Sequence, residues 1–223
     1  MGKLLRFIGI LFLSISALFN IAGGAGTTCV ALNPAGYEGY EAIANFQWLY
    51  ILYILVTTAF GVMMVRAVVL LVKGRANGYR YALIALVGAI IVGAIHIATS
   101  RALRASGSSM PVDGVVYATV LTLIIFLIFK IPGVWQVVDF TKAKKTDSDL
   151  AGGAAAIVCG GISLVIQVLM APTHTINGVN YGDAFHLTTT GLGWGLILLG
   201  SYLVYTSKLA FKIPVKKKIA TKA

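Results

Sequence analysis

Six stretches of this chain are each long and apolar enough to cross a lipid bilayer, at approximately residues 4–23, 46–72, 81–102, 112–129, 150–171 and 184–207. A hydrocarbon core about 30 Å thick needs roughly 20 apolar residues at 1.5 Å rise each. Lipid offers a backbone group no partner outside its own helix, so all six are expected to be α-helices. The weaker alternating pattern of a membrane β-barrel is absent. The expected fold is therefore all-α: one transmembrane domain over residues 1–223, a six-helix bundle with short loops and a basic tail at 208–223.

Composition narrows the class further. Of 223 residues, 58% are hydrophobic and 11% charged, with a mean hydropathy of +0.89. A soluble domain carries about a quarter charged residues, so a water-soluble globule, a disordered tail and a disulfide-stapled module are excluded. A net charge of +11 on a soluble protein would point to nucleic acid. Here the basic residues lie between apolar runs, where they orient the chain in a membrane. With the N-terminus in the cytoplasm, sixteen Lys and Arg residues fall inside, from Lys3 and Arg6 to Lys218 and Lys222, and only Arg101 and Arg104 fall outside. The positive-inside rule thus gives a multi-pass protein of the cell membrane with both termini cytoplasmic.

The first stretch resembles a secretory signal, with Lys3 and Arg6 before Phe7–Phe19 and small residues from Ala22. We count it as a retained helix. Gly26-Thr-Thr-Cys29 lacks the residues usual before a lipidated cysteine. Tyr37, Tyr40, Trp48 and Tyr50 are expected in an outer interfacial belt and Trp135 just past the inner end of the fourth span, whereas Trp194 lies deeper, as a packing residue.

Two short similarities recur. Val112-Asp-Gly-Val-Val-Tyr117 resembles Ile176-Asn-Gly-Val-Asn-Tyr181, and Phe129-Lys-Ile-Pro132 matches Phe211-Lys-Ile-Pro214. Asp-Gly and Asn-Gly favour turns, and Lys-x-Pro ends a helix at an interface where the lysine can snorkel. Small residues recur four apart in three spans: Ala85, Ala89 and Gly93; Gly152, Ala156 and Gly160; Gly191 and Gly195. Such rows let helix backbones approach closely. The expected use is packing within one bundle, with an oligomer seam as the alternative.

The longest connection, residues 24–45, holds Cys29 and Tyr37-Glu38-Gly39-Tyr40-Glu41. It reads either as a partner-facing patch or as a segment packed over the bundle. Residues 141–149 and Lys216–Lys218 read as solvated charge or charge facing anionic lipid, with no nucleic-acid partner expected. Cys29 is outside and Cys159 deep in a span, too far apart for a disulfide. No motif for hydrolysis, phosphoryl transfer or nucleotide binding and no zinc-protease signature is present, and a surface metal site on His174 and His186 is a weaker alternative than haem.

The three histidines, His96, His174 and His186, all fall on the outer half. An ionisable residue within a membrane is a functional candidate by default. His96 and His186 on facing helices, with Arg101 and Arg104 above them for carboxylates, is one way a bundle holds haem b, and Gly93 one turn before His96 would leave room for a flat group. Depth arithmetic places His96 about 7 Å below the outer boundary and His186 at it, a mismatch of about 8 Å. Without a cofactor, two of the histidines are interfacial and one bonds to a neighbouring helix. A polar path past His186 and Thr188–Thr190 is the basis for a small transporter or channel, although acidic groups are missing from the span interiors. Gln167, Asn20, Thr57 and Thr58 read as glue between helices.

The expected function is a non-catalytic integral membrane subunit that anchors or scaffolds a larger assembly, with lipid and other membrane subunits or copies of itself as partners and no cofactor. The alternatives are a haem b-binding, quinone-linked electron-transfer subunit and a small transporter or channel.

Overall fold

The computed structural model describes residues 1–37, 39–104, 112–176 and 179–212. Eight helices are present among them: α1 (Gly2–Gly26), α2 (Thr28–Leu32), α3 (Gln47–Val72), α4 (Gly78–Arg104), α5 (Val112–Phe129), α6 (Pro132–Val138), α7 (Lys145–His174) and α8 (His186–Lys212). Six regions of this helical structure are long and apolar enough to cross a membrane. The six-helix bundle read from the sequence is thus the fold. Apolar side chains such as Leu55, Val62, Ile91, Leu127, Val165 and Leu198 are exposed along the helices, as lipid-facing surfaces require.

α1 stands centrally, packed against α3, α5 and α7, while α4 joins α3 to α5. The main core lies in the half of the bundle that holds the N-terminus. There Ile10, Leu13, Met64, Leu71, Leu86, Phe126 and Phe129 are fully buried, with Ala151 and Ala155 of α7 against them. α6 crosses this end, and the Arg6 guanidinium donates to the carbonyls of Val138 and Asp139 at 3.2 and 3.3 Å, a cation closing the C-terminus of α6. Lys3 of α1 pairs with Asp147 of α7 at 3.1 Å.

Several local devices explain where helices stop. α3 ends at Gly74, whose φ of +63° is left-handed. Gly74 N donates to Leu71 O and Arg75 N to Leu70 O, closing the helix in a Schellman pattern. α5 ends at Phe129, and Pro132 opens α6, as Lys-x-Pro predicts. Lys130 lies over the rings of Tyr79 and Trp135, 5.5 Å from each. Of its twin motif at 211–214, only Phe211 and Lys212 fall within the described residues, both in α8.

Two expectations are corrected. Asp113-Gly114 is not a turn: it opens α5, where an acid favours the first helical turn, and Asp113 bonds Arg101 at 3.1 Å. The related segment at 176–181 instead joins a two-residue antiparallel pair, with Thr175 opposite Asn180 and Ile176 opposite Val179; its Asn177-Gly178 falls outside the described residues. Residues 145–149 are the first turns of α7 rather than loop, with Ser148 buried.

Residues 27–46 pack over the opposite end from the N-terminus. Ala31 and Ile43 are buried with Tyr50 and Tyr53 in a second, smaller core. Arg104 fastens this cover, with its guanidinium 3.6 Å from the centre of the Tyr40 ring and its Nε donating to Gly39 O at 2.9 Å. The described residues of this connection thus pack over the bundle, and Glu38 of the Tyr37–Glu41 stretch lies outside them.

Candidate functional site

A narrow, partly open crevice lies among α1, α3, α4 and α5, between the two cores. Its polar lining comes from Asn20 of α1, Thr27 between α1 and α2, Tyr53 and Thr57 of α3, His96 of α4 and Thr119 of α5, with Ile54, Ala89 and Val116 among the apolar contributors. α1 and α5 meet below it along a polar seam. Ser16 and Thr122 share a hydrogen bond of 2.7 Å, and Asn20 Nδ2 donates to Thr119 Oγ1 at 3.1 Å and to Ser16 O at 2.8 Å. Of these residues, the sequence reading singled out only Asn20. The signal for the rest is spacing: Ser16 and Asn20 are one turn apart, as are Thr119 and Thr122, each pair on one face of an apolar helix.

His96 is 6% exposed. Its ring stacks on Tyr53, with centroids 4.5 Å apart and planes at 17°, and meets Tyr50 edge-on at 5.2 Å. Both tyrosine hydroxyls turn elsewhere, Tyr50 to Ser100 at 2.9 Å and Tyr53 to Thr99 at 3.1 Å. Tyr50, expected in the interfacial belt, is therefore a buried wall of the histidine's setting, while Trp48 is 65% exposed as a belt residue would be.

The other predicted residues lie apart from this setting. His186 is on the exposed first turn of α8, which packs on α7, whereas α4 packs on α3 and α5, so the structure does not bring His96 and His186 together. Arg101 is engaged by Asp113, and Arg104 by Tyr40 and Gly39. The space beside Gly93 is taken too, since a Cβ there would stand 2.4 Å from a Val116 methyl. His174 is the histidine bonded across helices. Its Nε2 faces Gly26 O at 2.9 Å and its Nδ1 faces Met170 O at 3.1 Å, tying the end of α7 to that of α1. Thr188–Thr190 lie on α8, outside the crevice lining, and Thr189 bonds back to Phe185 and His186 carbonyls. Among the described residues no three His, Cys, Asp or Glu side chains gather as a metal site, and Cys29 and Cys159 are both free thiols.

The small-residue rows divide. Ala85, Ala89 and Gly93 are buried in the bundle. Gly152 faces Val72 of α3, and Gly160 faces α8, where its Cβ would stand 2.6 Å from Gly193 O. Ala156, between them, is half-buried. Gly191 and Gly195 are exposed, with no atom near a Cβ at either. The contact face of α8 runs instead through Gly193 and Gly200. A Cβ on Gly200 would lie 2.4 Å from Gly153 O, and one on Gly153 2.7 Å from Gly200 O. Four glycines thus set the α7–α8 spacing, and the visible four-residue rhythm marks the opposite face. Trp194, expected to pack, is 55% exposed on that outward side.

Comparison of the chain with models of protein families, with curated proteins and with solved structures finds no match.

Proposed function

We propose that this chain is a non-catalytic integral subunit of a membrane assembly, held in the cell membrane with both termini in the cytoplasm, and that α8 is the helix by which it joins its partners. The observation that carries the reading is the lopsided packing of α8. In its most apolar window 11% of residues are buried, against 39% for the first span and 33% for α4. Its outward side combines Gly191 and Gly195, one turn apart, with Trp194, Leu198 and Tyr202. In lipid, helices associate by close backbone approach rather than by hydrophobic force, and small residues one turn apart permit it. The sequence asymmetry of sixteen basic residues against two supports the orientation.

Extraction in mild detergent followed by native mass measurement tests the proposal. A species heavier than one chain is expected, reduced to the single chain by Gly191→Leu with Gly195→Leu. A lone, folded monomer from native membranes would refute it. So would an assembly indifferent to the double substitution, since α8 would then not be the joining helix.

A further inference from the structure

The geometry points to a built binding site for a small neutral molecule that both donates and accepts hydrogen bonds, water being the smallest of that class, in the crevice beside His96. This inference is independent of how α8 is used.

A neutral imidazole carries one N–H donor and one lone-pair acceptor at its ring edge. Stacking on Tyr53 and the perpendicular contact of Tyr50 are ring contacts rather than hydrogen bonds, and both hydroxyls bond to α4 residues other than His96. Among the described residues, no hydrogen bond reaches either ring nitrogen. The side chain is nevertheless almost wholly buried and lines the crevice. Buried polar groups in folded chains nearly always find a partner, and within a membrane the cost of leaving one unmade is at its highest.

A second orphan lines the same crevice. The Asn20 amide nitrogen is spent on Ser16 O, Thr119 Oγ1 and the Met64 sulfur, and no donor among the described residues meets its carbonyl oxygen. A guest that accepts from the imidazole and donates to an amide oxygen answers both needs. The crevice has room on the scale of a water molecule, and within a mostly apolar lining the imidazole and the amide oxygen supply the polar partners that a buried water needs. Below it Leu13, Ala17, Met64 and Phe126 are buried beside the Ser16–Thr122 seam, whose hydroxyls bond to each other.

The test uses the unaltered full chain in lipid vesicles, with isotope-labelled histidine and methionine. Transfer of magnetisation from water to the protein is followed by solid-state NMR, with His174→Gln and His186→Gln used only to assign the His96 signals. Build-up at the His96 ring nitrogens is expected to be several-fold faster than at the Met64 methyl in the dry core. Thr57→Leu, which fills the crevice from α3, is expected to slow it toward the Met64 rate. Build-up at His96 no faster than at Met64 in the unaltered chain overturns the proposal, as does a fast rate that Thr57→Leu leaves unchanged in a folded protein.

Discussion

At single positions the fold depends on a few glycines and one carboxylate whose surroundings admit little change. Gly74 is held at φ +63° at the end of α3, a conformation that costs an L-residue roughly 1–2 kcal/mol. Gly74→Ala is expected to lower stability by about 1 kcal/mol in detergent unfolding, while the exposed Gly114→Ala, with open space around it, leaves stability equal or higher. Asp139 offers a pH reading outside the spans. The Thr141 hydroxyl donates to its carboxylate at 2.7 Å and Lys142 pairs with it at 3.1 Å, and together they hold its pKa below the ordinary value against a smaller opposing effect of burial. The folded carboxylate is the more acidic one, so its contribution is complete above the unfolded pKa and is lost as pH falls through the depressed folded value. Acid titration of unfolding should therefore show a stability loss below the usual carboxylate range, and Thr141→Val should move that loss to higher pH.

At the scale of helices, the α7–α8 pair makes the sharpest demand. Gly153, Gly160, Gly193 and Gly200 each face backbone carbonyl or aliphatic atoms of the partner helix at distances no Cβ tolerates. Gly200→Ala is expected to destabilise by about 1–3 kcal/mol as the helices are forced apart, whereas Gly191→Ala, with nothing nearby, should be neutral or better. Thermal unfolding of the two variants separates them. The cover over the far end is tied by Arg104, so Arg104→Ala should expose residues 33–45 to protease while the spans stay protected. These contacts also mark what could be read in advance. Helix positions and ends at Phe129 and Pro132 followed from length, apolarity and proline chemistry. The interacting face of α8 did not, because Gly191, Gly193, Gly195 and Gly200 offer two alternative rows and only the partner's surface chooses between them. The Asp-Gly at 113–114 misled for a similar reason: Arg101 on the preceding helix gives its carboxylate a place at the start of α5.

For the molecule as a whole, the number of spans and their alternation were legible because lipid leaves the backbone one solution. The setting of His96 was legible only as an isolated polar residue. Its neighbours Tyr50 and Tyr53 come from a helix more than forty residues earlier, and Ser16, Thr119 and Thr122 meet across a packing interface that no local pattern specifies. The topology itself is testable by thiol labelling in sealed vesicles after replacing Cys29 and Cys159. Cysteines introduced at Lys144 and at Ala35 are expected to react from opposite sides, with Lys144 on the cytoplasmic one. α1, α3, α4 and α5 pack on one another, and all of them precede α8 in the chain. α8 seats mainly on α7, which directly precedes it, so a chain truncated before residue 186 is expected to keep the interior that the earlier helices share.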